Sequence, residues 1–387
     1  MTLRVTGRFA RRAALLTVLG GAAFGVRRAT ADDPATSDIQ ATLNRQATSR
    51  ARGDRDAFMA TIDQRNLTWR RIQGDAFTLE SGRGQRAALS YWVTGTQAKQ
   101  SGYVKAWIDI GAQDGAALVG QAVWVFRQAE SGWLHSEILN EEIGPRKSQS
   151  SEHFTLGHFD WDDDVIERIV GVAERAHAHV TVRTGIVPAG RPAISVNPTY
   201  GAHSALRGYG TWALFLPNTD QIVIRSIESY GAGITAPGET QEDRLLVALT
   251  HEYAHLVNNS VVPTVKMPKW MVEGFAEFVT SHLREGSMAQ ALRNGRTITL
   301  DRASEIIEWG EDPSRGFTRF DVDLAYAHAA HATAYVMERF GQERFLALAS
   351  EFAESRRWEE SVVKTLAISA PDLDGDWLGW VRARYGF

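Results

Sequence analysis

Two histidines four residues apart bracket a carboxylate in the run His251-Glu252-Tyr253-Ala254-His255. On a helix such positions lie one turn apart on one face, so both imidazoles reach a single cation from the same side. Zinc suits two imidazoles. The Glu252 carboxylate then stands beside a water on the metal, where hydrolysis needs a general base. The chain contains no Cys, which excludes thiolate zinc sites. A metzincin arrangement requires Gly at position 258 and His at 261, and the chain has Asn258 and Val261 there.

The segment that must carry the pair reads as helix. From Gln241 to Asn259, Leu245, Leu246, Leu249, Tyr253 and Leu256 recur at helical spacing. Thr240 fits an N-cap with Asp243 as its reciprocal partner. Asn258 and Asn259 suit the helix end, and Pro263 stops continuation. A second helix follows: Pro268 fits a first turn, and Glu273 and Glu277, four apart, share a face. Glu273 stands eighteen residues after His255, a distance that a short antiparallel helical hairpin brings back to the metal.

The motif, followed by Trp270-Met271-Val272-Glu273-Gly274-Phe275-Ala276-Glu277, resembles the gluzincin zinc metallopeptidases, specifically their peptidase MA-like group. The resemblance covers residues 155–387, and its specific part is 251–277. It implies that Glu273 is the third zinc ligand. It implies that Glu277 orients His251 by accepting the far N–H of the ring, which fixes the tautomer. A tyrosine in an A-Y-x-x-A segment of those enzymes matches Tyr326, which is implied to donate to the oxyanion of the tetrahedral intermediate; His331 and Tyr335 are the competing donors. An edge strand ahead of the metal helix is implied to bind the substrate backbone by strand addition. Thr211–Leu216 and Gln221–Ile227 read as strands, and the role is given to Gln221–Ile227. The expected activity is hydrolysis of peptide bonds in a peptide or protein substrate, with Glu252 as general base. The alternative is a catalytically silent, zinc-stabilised binding protein of the cell envelope.

Upstream, Ile39 to Ile62 reads as two helices. From Thr68 to Leu139 the apolar period becomes two: Val104, Ala106 and Ile108 alternate, as do Leu118, Gly120, Ala122 and Trp124, and Glu130-Ser131-Gly132 marks a hairpin turn. Helices followed by a curved antiparallel sheet resemble the cone-shaped nuclear-transport-factor-like (SnoaL-like) fold. The fold class expected is therefore α+β. A cone-shaped domain occupies 32–142, a charged, Ser-rich linker 143–154, and a mainly helical zincin-like domain with a small sheet 155–387.

Arg4, Arg8, Arg11 and Arg12 precede an apolar run from Ala13 to Val26 and then Ala29-Thr30-Ala31, the pattern of an export signal cleaved after Ala31. Without residues 1–31 the chain loses six Arg and no acid, so its net charge of −4 becomes −10. So acidic a chain, with no basic cluster, does not suit nucleic acid or an anionic membrane surface. The apolar run is too short for a comfortable bilayer span. The expectation is a secreted, periplasmic or cell-envelope protein with no integral membrane span.

Overall fold

One antiparallel and one mixed sheet, the second surrounded by helices, make the chain α+β. A computed structural model describes residues 34–82, 89–112, 117–199, 212–229, 233–310 and 312–387. The export-signal reading of residues 1–31 lies outside them. Among the described residues no helix is long and apolar enough to cross a membrane.

The first sheet runs in the order β1 (Leu89–Ala98), β2 (Tyr103–Ala112), β3 (Leu118–Ala129), β4 (Gly132–Ser136), all antiparallel. Helix α1 (Pro34–Arg52) lays Ile39 and Leu43 on the face that carries Val104, Ala106, Ile108, Ala122, Trp124 and Phe126. Helix α2 is the short turn Arg55–Met59. The period-two reading from Thr68 onward is corrected at its start, because Leu67–Gly82 is helix α3. Its buried Trp69, Ile72, Ala76 and Phe77 fall at helical spacing, and Phe77 packs on Phe58 with ring centroids 5.1 Å apart.

The second sheet has the order β5 (Arg146–Ser150), β6 (Thr155–Phe159), β7 (Ala193–Asn197), β9 (Gln221–Arg225), β8 (Ala213–Leu216). Two expectations change here. Strand β5 lies within the segment read as a linker; its side chains are mostly exposed, so main-chain pairing to β6 makes it a strand without any hydrophobic alternation. The edge strand near the helix that carries His251 and His255 is β8, not the Gln221 strand. β9 lies between β7 and β8 with four of its five residues buried, whereas β8 buries only Phe215. The central position demands apolar faces on both sides.

The helices of this part are α4 (Ile166–Thr184), α5 (Gln241–Val261), α6 (Lys269–Val279), α7 (Glu285–Arg293), α8 (Leu300–Trp309), α9 (Arg319–Phe340), α10 (Gln342–Ser355), α11 (Trp358–Leu366) and α12 (Ala370–Tyr385). Helix α5 opens on a capping box: Asp243 N–H donates to Thr240 Oγ1 at 3.1 Å and Thr240 N–H to Asp243 Oδ2 at 3.0 Å. Helix α6 seats closely on α9 through Gly274. A Cβ there would lie 2.3 Å from Thr333 Oγ1 and 2.4 Å from the Ala329 carbonyl oxygen. Glycine beside Glu273 therefore sets how deeply that carboxylate is carried into the fold.

The two sheets are tied together just ahead of α5. Gln121 of β3 and Thr235 exchange main-chain hydrogen bonds of 3.0 and 2.8 Å. The fully buried Lys105 ammonium of β2 lies 3.2 Å from Asp164 and 3.3 Å from Glu228, the compensation a buried charge requires.

Candidate metal centre

Helix α5 presents His251 and His255 one turn apart, and α6 returns Glu273 against them. Their Nε2 atoms lie 3.1 Å apart, with Glu273 Oε2 3.2 Å from His251 Nε2 and 3.5 Å from His255 Nε2. Zinc–ligand bonds of about 2.0–2.1 Å imply tetrahedral edges of roughly 3.3 Å. The three donor atoms thus already form one face of a tetrahedron of zinc's size, and the residues fit the ion. The imidazole planes stand at 87°, so the two in-plane lone pairs converge instead of running side by side. His251 and Glu273 keep part of their side-chain surface open.

Burial alone would lower the His251 pKa. The contact with Glu273 and the charges of Glu252, Glu273 and Glu277 outweigh it and push that pKa up to about 9. Burial would likewise raise the Glu273 carboxyl, but His255 and His251 hold it well below the usual carboxylate range. A metal takes the unprotonated ring. Metal uptake below about pH 9 therefore displaces a proton from His251, and zinc affinity rises about tenfold per pH unit toward that value before levelling off. Calorimetry in buffers of different ionisation enthalpy counts the proton; a count of zero at neutral pH contradicts this electrostatic account.

Around the donors, Glu252 Oε2 accepts the Phe215 N–H of β8 at 2.7 Å. Sequence reasoning did not reach this tether, because strand order is not written in local pattern. Glu277 is almost fully buried, with Oε1 4.0 Å from His251 Nδ1. It is the acid nearest that ring nitrogen, although the separation is longer than a hydrogen bond. Arg284 donates to the same oxygen from Nη2 at 2.9 Å, and His282 Nδ1 lies 2.9 Å from the other. Arg284 also bonds Asp323 at 3.1 Å and sits 4.7 Å over the Tyr326 ring. Neither Arg284 nor His282 belongs to a motif, so the sequence carried no signal for them.

Tyr326 lies under the Arg284 guanidinium that bonds Glu277. The Glu273 charge, together with burial, raises its phenol well above the ordinary value, so it stays an O–H donor. His331, the competing donor, is engaged elsewhere: its Nδ1 lies 2.8 Å from the Ala327 carbonyl oxygen and its Nε2 3.0 Å from the Tyr385 hydroxyl of α12. Five residues along a helix turn the side chain by about 140°, which separates it from the face of Tyr326. Tyr335 hydroxyl donates to Asp376 at 3.4 Å, also in α12.

A second group, His153, Glu174 and His177, also brings three donors within 4.8 Å. It fails the same fit. The His153 and His177 rings are stacked at 3.6 Å with planes 15° apart, so their in-plane lone pairs do not meet at one ion.

No known family's sequence profile matches the chain, and no curated protein matches it. Among solved structures, it is similar to an M1 zinc metallopeptidase from Deinococcus radiodurans at 13% identity, covering 76% of this chain and 61% of that one, with a TM-score of 0.31. A mutant of an M1 zinc metallopeptidase from the same organism is matched at 13% identity over 75% and 61%, with a TM-score of 0.31. A two-domain M1 zinc metallopeptidase mutant bound to L-arginine is matched at 12% identity over 76% and 61%, with a TM-score of 0.30. The chain thus spans about three-fifths of the length of these proteins. So distant a likeness bears on neither activity nor substrate, and the functional reading rests on the site itself.

Proposed function

We propose that this chain is a zinc-dependent peptidase of gluzincin type, exported through its N-terminal segment and acting on peptide or protein substrates in the cell envelope or outside the cell. The observation that carries the reading is the tetrahedral spacing of His251 Nε2, His255 Nε2 and Glu273 Oε2, with Glu252 next to the first donor. A zinc ion held by these three residues supplies Lewis acidity toward a carbonyl and makes water a stronger acid.

The chain's own groups supply the rest. Glu252 accepts the proton of the attacking water and delivers it to the leaving amine. The Phe215 N–H keeps the Glu252 carboxylate aimed while the proton moves. Tyr326 donates its O–H to the oxygen on which negative charge develops. Among the described residues β8 is the outer strand of its sheet, and its outward main-chain groups other than the Phe215 N–H, which Glu252 holds, are open to an extended substrate. Trp212 accepts from Arg225 on the β9 side and Phe215 N–H points away from it, so by alternation Ala213 and Phe215 turn their main-chain groups outward. A peptide laid there pairs with the strand that holds the base.

Metal removal tests the reading. Treatment with a chelator abolishes cleavage of a peptide mixture, and stoichiometric zinc restores it while magnesium does not. A chelated, metal-free protein that cleaves as fast as the untreated one overturns the proposal.

A further inference from the structure

Two residues three apart on α5, His255 and Asn258, carry buried polar atoms that lack partners among the described residues. His255 directs Nε2 to the donor triangle, so with a metal bound its proton sits on Nδ1. That Nδ1 is buried with no hydrogen-bond partner among the described residues. The other metal-facing ring has Glu277 4.0 Å from its Nδ1. The buried rings of α9 use their own helix: His328 Nδ1 lies 2.9 Å from the Leu324 carbonyl oxygen and His331 Nδ1 2.8 Å from that of Ala327. His255 has neither solution.

Asn258 is completely buried, and both the oxygen and the nitrogen of its carboxamide lack a partner among the described residues. An amide left so in a helix core is costly unless it serves something. Positions three apart on a helix have Cβ atoms about 5–6 Å apart, within reach of an Asn–His hydrogen bond by side-chain rotation alone. Helical side chains lean toward the N-terminus, so Asn258 overhangs the turn that carries His255. The next candidate, Asn259, is already committed: its Oδ1 accepts the Thr264 N–H at 2.9 Å and its Nδ2 donates to Asp220 at 2.9 Å.

We infer that Asn258 is the positioning residue of His255. Its carboxamide oxygen accepts the Nδ1–H of the ring and so fixes which nitrogen faces the metal. This rests on the zinc reading of the site and adds to it the residue that holds the second ring.

The test measures zinc affinity by competition with a chromophoric chelator, and the melting temperature of the metal-free protein, for wild type, Asn258→Leu and Asn258→Asp. The leucine variant binds zinc about 10–100-fold more weakly. Its metal-free form melts no lower than wild type, because a side chain of similar size replaces an unpaired amide. The aspartate variant keeps an acceptor and binds zinc at least as tightly as wild type. A folded leucine variant whose zinc affinity stays within about twofold of wild type overturns the inference. If the leucine variant does not fold, the aspartate variant decides: a folded aspartate variant that loses zinc overturns it equally. A wild-type protein that takes up no zinc overturns the metal reading and this inference with it, whereas zinc-binding wild type beside an unaffected leucine variant overturns the inference alone.

Discussion

Replacing Glu273 with alanine lowers zinc affinity by about a thousandfold, on the order of 4 kcal/mol. Structural zinc sites with four protein donors bind with roughly 10–16 kcal/mol, so about 4 kcal/mol is the share of one donor. A small part of the loss is offset, since Glu273 is also one of the three carboxylates that hold on His251 the proton zinc must displace. Without it, less opposes burial and the metal-free ring becomes neutral at lower pH. Alanine is a good helix former, so α6 persists and the loss is one of metal, not of fold. Zinc competition alongside circular dichroism reads both. A folded Glu273→Ala protein with wild-type zinc affinity removes Glu273 from the donor set.

Replacing Glu252 with glutamine separates binding from chemistry. The side chain keeps its size and an oxygen able to accept the Phe215 N–H now 2.7 Å away, so the edge strand stays in place. Its zinc content remains that of wild type, because Glu252 is outside the donor triangle. What disappears is a carboxylate able to take a proton, and kcat/KM falls by about 10²–10⁴. Loss of zinc together with activity would instead make Glu252 a metal-holding group.

The part of this site that could be read in advance is the part fixed by helical period. His251 and His255 share a face because they are four apart, and Thr240 and Asp243 mark the start of the helix that carries them. Glu273 needed more than spacing, since eighteen residues of hairpin can place a carboxylate in several ways; the resemblance to a known motif selected it. Gly274 shows physically why the motif pairs these residues: without it α9 would keep α6 away. What escaped depends on packing order. β8 and β9 are both short apolar runs, and only the sheet order shows which one is the outer strand among the described residues. The helix Leu67–Gly82 was hidden because alternation just downstream was extended back across it. Tyr326 and His331 lie on one Ala-rich helix with no strong apolar stripe, so the sequence did not say which of them turns toward Arg284 and Glu277. Arg284, which clamps Glu277 and covers Tyr326, enters from a turn with left-handed φ of 51°, a conformation no local pattern of Arg announces.

On the proposed function, glutamate-dependent hydrolysis of peptide bonds takes place at the His251, His255, Glu273 centre. The direct measurement incubates zinc-loaded wild type and its Glu252→Gln counterpart with an unbiased peptide library and reads new termini by mass spectrometry. Wild type is expected to make cuts that are absent, or reduced by at least about a hundredfold, with the glutamine protein. Cuts of equal number and rate from both proteins would contradict the proposed function.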